Sequence, residues 1–280
     1  TAPTATECAA LPACPPLTNF WHAAPGAYIP PFQGLLNPTS TFVTFANPLP
    51  IATSTQRVPL VLTIPNAASG KTRPPAGWPI IVYQHGFTRD RTDAFAVAGT
   101  LASQGFAVIA IDAPLHGITN TASPLYASLG STERTFNIDL LNNATGAPGP
   151  DGIIDSSGSH YINLPSLLTS RDNLREAVAD LMQLVRAIPG AHAGAHNFDG
   201  SRIGFVGQSL GGILGTVFMG ANPSVQTALL NVPGGGIANM LVASPTYGPR
   251  VLAGLAALGV QPGTADFAAF FVATQTVIDS

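Results

Sequence analysis

The sequence predicts an α/β fold built on an open, mostly parallel, doubly wound sheet, and three observations carry that expectation. Pro79-Ile-Ile-Val-Tyr-Gln-His85 is a nearly continuous apolar run, the pattern of a strand buried on both faces. Helical spacing over Asp93–Ser103 and a second apolar run, Phe106–Asp112, complete a strand-helix-strand unit within about 33 residues. The alternation then resumes with a strand at Arg202–Val206, a helix at Leu210–Met219 and a strand at Val225–Asn231.

Composition narrows the class. At 280 residues the chain suits one large domain, or one domain with a sizeable insertion. It is 46% hydrophobic and only 9% charged, the opposite of a disordered acidic or basic protein. The net charge is −3 and Lys71 is the single lysine, so no basic face exists to neutralise phosphates and no nucleic-acid partner is expected. Mean hydropathy is +0.30. The apolar runs, such as Val251–Val260, nevertheless reach only about half of the ~20 residues a bilayer span needs, so no transmembrane segment is expected. The chain opens at Thr1 without a charged-then-apolar leader, which reads as a mature or recombinant chain.

Taken in order, residues 1–56 are rich in Pro, Thr and Ala and read as an irregular arm lying on the domain. Cys8 and Cys14 within it either close a small disulfide loop in an oxidising compartment or remain thiols; the composition favours export. Residues 57–232 form the α/β core, beginning with a strand at Val58–Ile64. The helix after the first buried strand is closed by Gly105. Residues 113–165, rich in Gly, Pro and Asn, interrupt the core as an insertion. Leu174, Val178, Leu181, Val185 and Ile188 step by four, three, four and three along an amphipathic helix. Its charged residues, Arg171, Asp172, Arg175, Glu176, Asp180 and Arg186, read as a solvated face with i,i+4 support. Residues 233–280 carry only Arg250, Asp266 and Asp279 as charges. They predict an apolar helical cap, with helices at Ile237–Ala243, Arg250–Leu258 and Ala265–Ile278.

The most informative residues are Val206-Gly207-Gln208-Ser209-Leu210-Gly211-Gly212. They hold G-x-S-x-G directly after a strand and directly before a helix, the context of a nucleophile elbow. Gly207 and Gly211 would let strand and helix approach, and the helix N-terminus behind Ser209 adds positive potential where an oxyanion would form. In that architecture the loop after the first long strand gives the second oxyanion-hole amide. Here that loop is His85-Gly86-Phe87, so the expected donors are the backbone N–H groups of Phe87 and Leu210.

These features resemble the α/β-hydrolase superfamily from about Val58 onward. Gln84-His85-Gly86-Phe87-Thr88-Arg89-Asp90 and Asp112-Ala-Pro-Leu-His116-Gly117 are similar to bacterial exported lipases and carboxylesterases, including the virulence-factor lipase group and metagenomic esterases that attack polyesters. The resemblance implies a serine carboxylic-ester hydrolase that works through an acyl-enzyme. It needs no cofactor, is exported, and acts on small-molecule or polymeric esters with hydrophobic acyl parts. One departure stands out. The family's triad runs serine, acid, histidine along the chain. All six histidines here (His22, His85, His116, His160, His192, His196) precede Ser209. Asp279 is the candidate acid that follows Ser209. Otherwise the acid and the histidine are expected outside this chain, in a C-terminal piece of roughly 70 to 120 residues that would complete an ordinary domain. The competing class is a non-catalytic binding protein on the same fold that lacks the triad histidine.

Other signals read as structural. His192 and His196 have H-x3-H spacing, but Gly190 and Gly194 suggest a loop, so no metal is expected. Asp151-Gly152-Ile-Ile-Asp155 lacks the oxygens of a calcium loop and reads as a turn. Asp112 could pair with His116; the alternative has Asp112 capping the following turn.

Overall fold

A computed structural model describes residues 15–127, 133–245 and 247–279. The expected disulfide loop at Cys8 and Cys14 lies outside the described residues. Strands β1 (Leu60–Thr63), β2 (Trp78–Gln84), β3 (Ala107–Ile111), β5 (His196–Gln208) and β6 (Thr227–Asn231) make one sheet in the order β1-β3-β2-β5-β6. All neighbours run parallel except β1, which pairs antiparallel with β3. This is an α/β fold on a mostly parallel sheet, as the sequence predicts. A short β4 (His192–Ala193) folds back on the start of β5 through a turn at Gly194, whose φ is +59°.

Two layers of helix cover the sheet. Helix α1 (Phe95–Ser103) packs on the face presenting Tyr83, Val108 and Ala110. Helices α2 (Leu167–Ala187) and α3 (Leu210–Ala221) cover the other face, where Leu181, Val185, Leu214 and Phe218 meet Ile80, Val82, Ile109 and Phe205 in the main core. Three more helices follow β6: α4 (Ile237–Ala243), α5 (Gly248–Ala257) and α6 (Ala265–Ile278). No helix of the described residues is long and apolar enough to cross a membrane.

Most elements lie where periodicity puts them, and the differences have physical causes. β5 begins six residues before Arg202, because β4 supplies a hairpin partner for His196 and Asn197. α2 begins at Leu167, about two turns before its apolar steps, because its first turns bury polar rather than apolar side chains. Ser170 exchanges hydrogen bonds with the backbone of Asn163 there, and Asp172 accepts from the Trp21 N–H at 2.8 Å.

The expectation of a solvated charged face on α2 is corrected by the same contacts. Asp172 is buried beneath the arm and also holds Arg171 at 2.7 Å. Glu176 accepts from the Trp21 indole at 2.8 Å, and Asp180 accepts from Arg134 of the insertion at 2.6 Å. Burial raises the Asp180 carboxyl, with Arg134 opposing. The face is where the arm and the insertion dock, and charge spacing alone cannot distinguish water from a docked loop as its partner.

Candidate active site

The carboxyl ends of three strands meet at one level of the sheet. Gln84 of β2 pairs with Gly207 of β5, and Gln208 pairs with Asn231 of β6. Ligands of open α/β sheets bind beyond such strand ends. Ser209 lies there, between β5 and α3, with φ +55° and ψ −112°. A serine in the left-handed half of the map is strained, at roughly 1–3 kcal/mol, and persists only where its surroundings over-determine it.

Two glycines do so. A Cβ on Gly207 would fall 2.2 Å from the Gly211 carbonyl oxygen, and one on Gly211 would fall 2.1 Å from that of Gln84. Strand and helix therefore close on each other only with hydrogen at both positions. The Ser209 N–H donates to the Asn231 carbonyl at 2.9 Å, so the nucleophile candidate's own amide is already engaged. The Leu210 N–H, first in α3, has no intrahelical acceptor. Among the described residues the Ser209 hydroxyl has no hydrogen-bond partner.

The His85-Gly86-Phe87 loop lies against this elbow. A Cβ on Gly86 would be 3.3 Å from the Ser209 Cβ and 3.4 Å from the Gln208 carbonyl. Beneath the loop is a buried polar layer. The Ala113 N–H donates to His85 Nε2 at 3.1 Å, which leaves the ring proton on Nδ1 to bond the Gly86 carbonyl at 2.8 Å. Asp112 does not pair with His116, nor does it cap the following turn. It accepts from the Arg91 N–H at 2.6 Å and from the Arg91 guanidinium, with His85 Nε2 3.9 Å away. Arg91 also bonds both Glu133 oxygens at 2.7 Å. Burial works against the Arg91 charge, yet Glu133 and Asp112 raise its pKa above the ordinary value. Burial raises the Asp112 carboxyl too, and His85 and Arg91 oppose it. Both Asp112 oxygens accept N–H bonds from Arg91, the arrangement of an ionised carboxylate. Sequence reasoning missed Arg91 and Glu133; Arg91 directly follows the quoted Gln84–Asp90 motif, and no local signal marks Glu133.

The histidines divide by place. His85 is buried with both ring nitrogens engaged. His116 is buried between His85 and Tyr161, with ring centroids 4.9 Å from each, and burial above all lowers its pKa well below 6.5. His160 bonds Asp155 at 2.7 Å within the insertion, and His22 bonds Thr41 in the arm. His196 lies at the opposite end of β5 from Ser209, beyond the irregularity that sets Phe198 opposite Trp78 and Ile203 opposite Ile80. Asp279 ends α6 and accepts from the Ile237 N–H at 3.3 Å. Asp151 accepts from the Asn143 and Ile153 amides, as a turn residue does. No group of three or more metal-ligating side chains occurs among the described residues.

A cleft of about 330 Å³ opens one helical turn beyond Ser209, lined by Leu174, Val178, Ile213, Val217, Ile237 and Ile278, with Arg171 and Arg175 at its rim. A larger concavity, about 420 Å³, lies between the arm and α2 and includes no residue of the elbow.

Fold and site together define an α/β protein with a strained strand-to-helix turn at Ser209 beyond the carboxyl ends of its parallel strands. Residues 45–121 match the family described as Platelet-activating factor acetylhydrolase, isoform II; the match includes His85–Phe87 and stops short of Ser209. No curated protein matches the chain. Among solved structures, the chain is similar to the acetyl xylan esterase from Paenibacillus sp. R4, at 18% identity and TM-score 0.44, over 75% of this chain and 56% of that one. It is also similar to acetyl xylan esterase 1 from Thermoanaerobacterium sp. JW/SL YS485, at 16% identity and TM-score 0.41, over 71% and 53% of the two chains. A third is the monoacylglycerol lipase from Paleococcus ferrophilus, at 16% identity and TM-score 0.37, over 75% and 54%. The chain thus spans a little over half the length of these structures.

Proposed function

We propose that this chain carries the nucleophile and oxyanion hole of a serine carboxylic-ester hydrolase. The observation that carries the reading is Ser209 at φ +55° on a strand-to-helix turn, with the Gly86 loop against its Cβ. A non-glycine residue is held there at a cost in stability, and such strain is characteristic of functional positions. Ser209 Oγ attacks the ester carbonyl. The Phe87 and Leu210 amides stabilise the tetrahedral oxyanion, the alcohol leaves, and water releases the acyl group from Ser209.

The histidine and acid that activate Ser209 are, in this reading, supplied from outside residues 1–280, as a continuation or a tightly associated fragment. Every described histidine is engaged elsewhere or remote from Ser209. No cofactor enters the reaction. The apolar cleft beside α3 supports a substrate with a hydrophobic acyl part, which includes lipid esters and aliphatic polyesters. Export is part of the proposal and rests on composition alone.

A fluorophosphonate probe tests the assignment. It should label the complete protein at Ser209, and Ser209→Ala should abolish labelling and hydrolysis of p-nitrophenyl esters. Labelling elsewhere with activity retained sinks the nucleophile assignment. Rates should rise from acetate toward medium chains; a steady fall removes the hydrophobic-acyl part of the reading. Residues 1–280 alone should keep only the enhancement an oxyanion hole gives without its base, roughly 10³–10⁴-fold over water. Turnover equal to that of a longer chain would move the base into the described residues.

A further inference from the structure

The proposed chemistry makes no use of the most highly charged part of the interior, the buried Arg91, Asp112 and Glu133. We propose that Arg91 is a positioning residue for the oxyanion-hole amide of Phe87, acting through Asp112, Ala113 and His85. The inference rests on the function proposed above, because it gives the Phe87 N–H a task.

The geometry runs link by link. The Gly86 carbonyl and the Phe87 N–H belong to one trans peptide unit, so they point in opposite directions. That carbonyl is held from the protein side by His85 Nδ1–H at 2.8 Å and by the Arg89 N–H at 3.3 Å. The Phe87 N–H is thereby turned the other way, and among the described residues it donates to no acceptor. If the peptide rotated, a carbonyl dipole would face the developing oxyanion, which repels it. His85 can hold Gly86 only as the Nδ1–H tautomer, and the Ala113 N–H on Nε2 selects that tautomer. Ala113 follows Asp112, and both oxygens of Asp112 are bonded by Arg91. Arg91 is itself fixed by Glu133 and by the Leu125 carbonyl at 2.8 Å, and Glu133 also accepts from the Ile118 and Ala127 amides.

A spacer role does not explain this arrangement. Two carboxylates and one guanidinium in a dry interior carry a desolvation cost that apolar side chains of similar volume would avoid. Such a layer is expected where it specifies one geometry, and this one lies a single residue and one hydrogen bond behind His85.

The test uses Arg91→Lys and Glu133→Gln in the full chain, at a temperature where circular dichroism shows each variant folded. Ser209 labelling by the fluorophosphonate should slow roughly tenfold to a hundredfold, below the 10²–10³ expected for complete loss of an oxyanion-hole donor. The reversible binding constant of the probe should stay unchanged. Labelling within twofold of the parent in both variants overturns the proposal. ¹⁵N NMR of the His85 ring gives a second readout that needs neither activity nor a folded variant. The parent should show a neutral ring protonated on Nδ1, which supports the mechanism, whereas protonation on Nε2 overturns it. If the parent is not labelled at Ser209 at all, the proposed function has failed and the positioning inference falls with it, an outcome distinct from a labelled parent whose variants react at the parent's rate.

Discussion

The floor of the site and the helices that follow β6 hold together in different ways. The floor, made of residues 84–91, 112–116 and 207–212, is mostly buried apart from exposed Thr88 and Arg89, and its backbone approaches leave no room for a Cβ at Gly207 or Gly211. Its polar groups are bonded to one another across distant parts of the chain. The later helices bury little: α6 buries only Thr274 and Ile278, Val272 is 69% exposed, and Leu258 is 53% exposed. On β6, Leu230 packs against the main core while Leu229 on the opposite face is 62% exposed. The sequence predicts an apolar helical cap here, and within the described residues its apolar faces are buried only in part. A paired, interlocked floor fixes one geometry, whereas an apolar layer with few neighbours leaves hydrophobic surface that is complementary to acyl chains or further protein.

That contrast can be broken at its strongest point first. Arg91→Met leaves Asp112 and Glu133 buried without their cation. It should lower unfolding stability by about 3–5 kcal/mol, read from denaturant midpoints; a loss below ~1 kcal/mol would mean the layer is not dry. Gly211→Ala forces a methyl onto the Gln84 carbonyl and should cost about 1–3 kcal/mol. Gly99→Ala within α1 meets nothing within 4 Å and should gain about 0.5–1 kcal/mol. Equal effects at the two glycines would refute the close-approach argument.

Acid separates the regions less sharply. Folded His116 stays neutral because burial lowers its pKa well below 6.5, while the unfolded chain takes up the proton near that value. Below pH ~6.5 the unfolded state therefore binds more protons, and stability falls as pH drops, by up to about 1.4 kcal/mol per pH unit. His116→Gln should remove that share of the slope between pH 6.5 and 5. An unchanged slope would assign the acid sensitivity to other groups. At the outer layer, Val272→Ser should change stability by less than about 0.5 kcal/mol. A larger loss, measured by thermal unfolding, would show that α6 is covered in solution.

Much of this was legible because it is local. Apolar runs bounded by turn residues mark β2 and β3, four-and-three spacing marks α2, and the Gly207-Gln208-Ser209-Leu210-Gly211 turn marks the strand-helix junction, each readable within a dozen residues. The buried charge of Arg91 was not legible, since Arg91, Asp112 and Glu133 are separated by 21 residues in each interval and no period links them. Nor was the docking of Trp21 on Asp172 and Glu176, which joins residues more than 150 apart in the chain.

The sequence by itself determined the order of strands and helices and the serine at the elbow, because periodicity and glycine punctuation act through near neighbours. Only the tertiary structure decided which side of the Gly86–Phe87 peptide faces Ser209 and which charges are withdrawn from water. It alone decided which histidines are engaged and which apolar faces stay uncovered. Those outcomes depend on groups that meet only after the sheet has closed, and hydrogen bonds and desolvation are set by the atoms in contact rather than by their spacing along the chain.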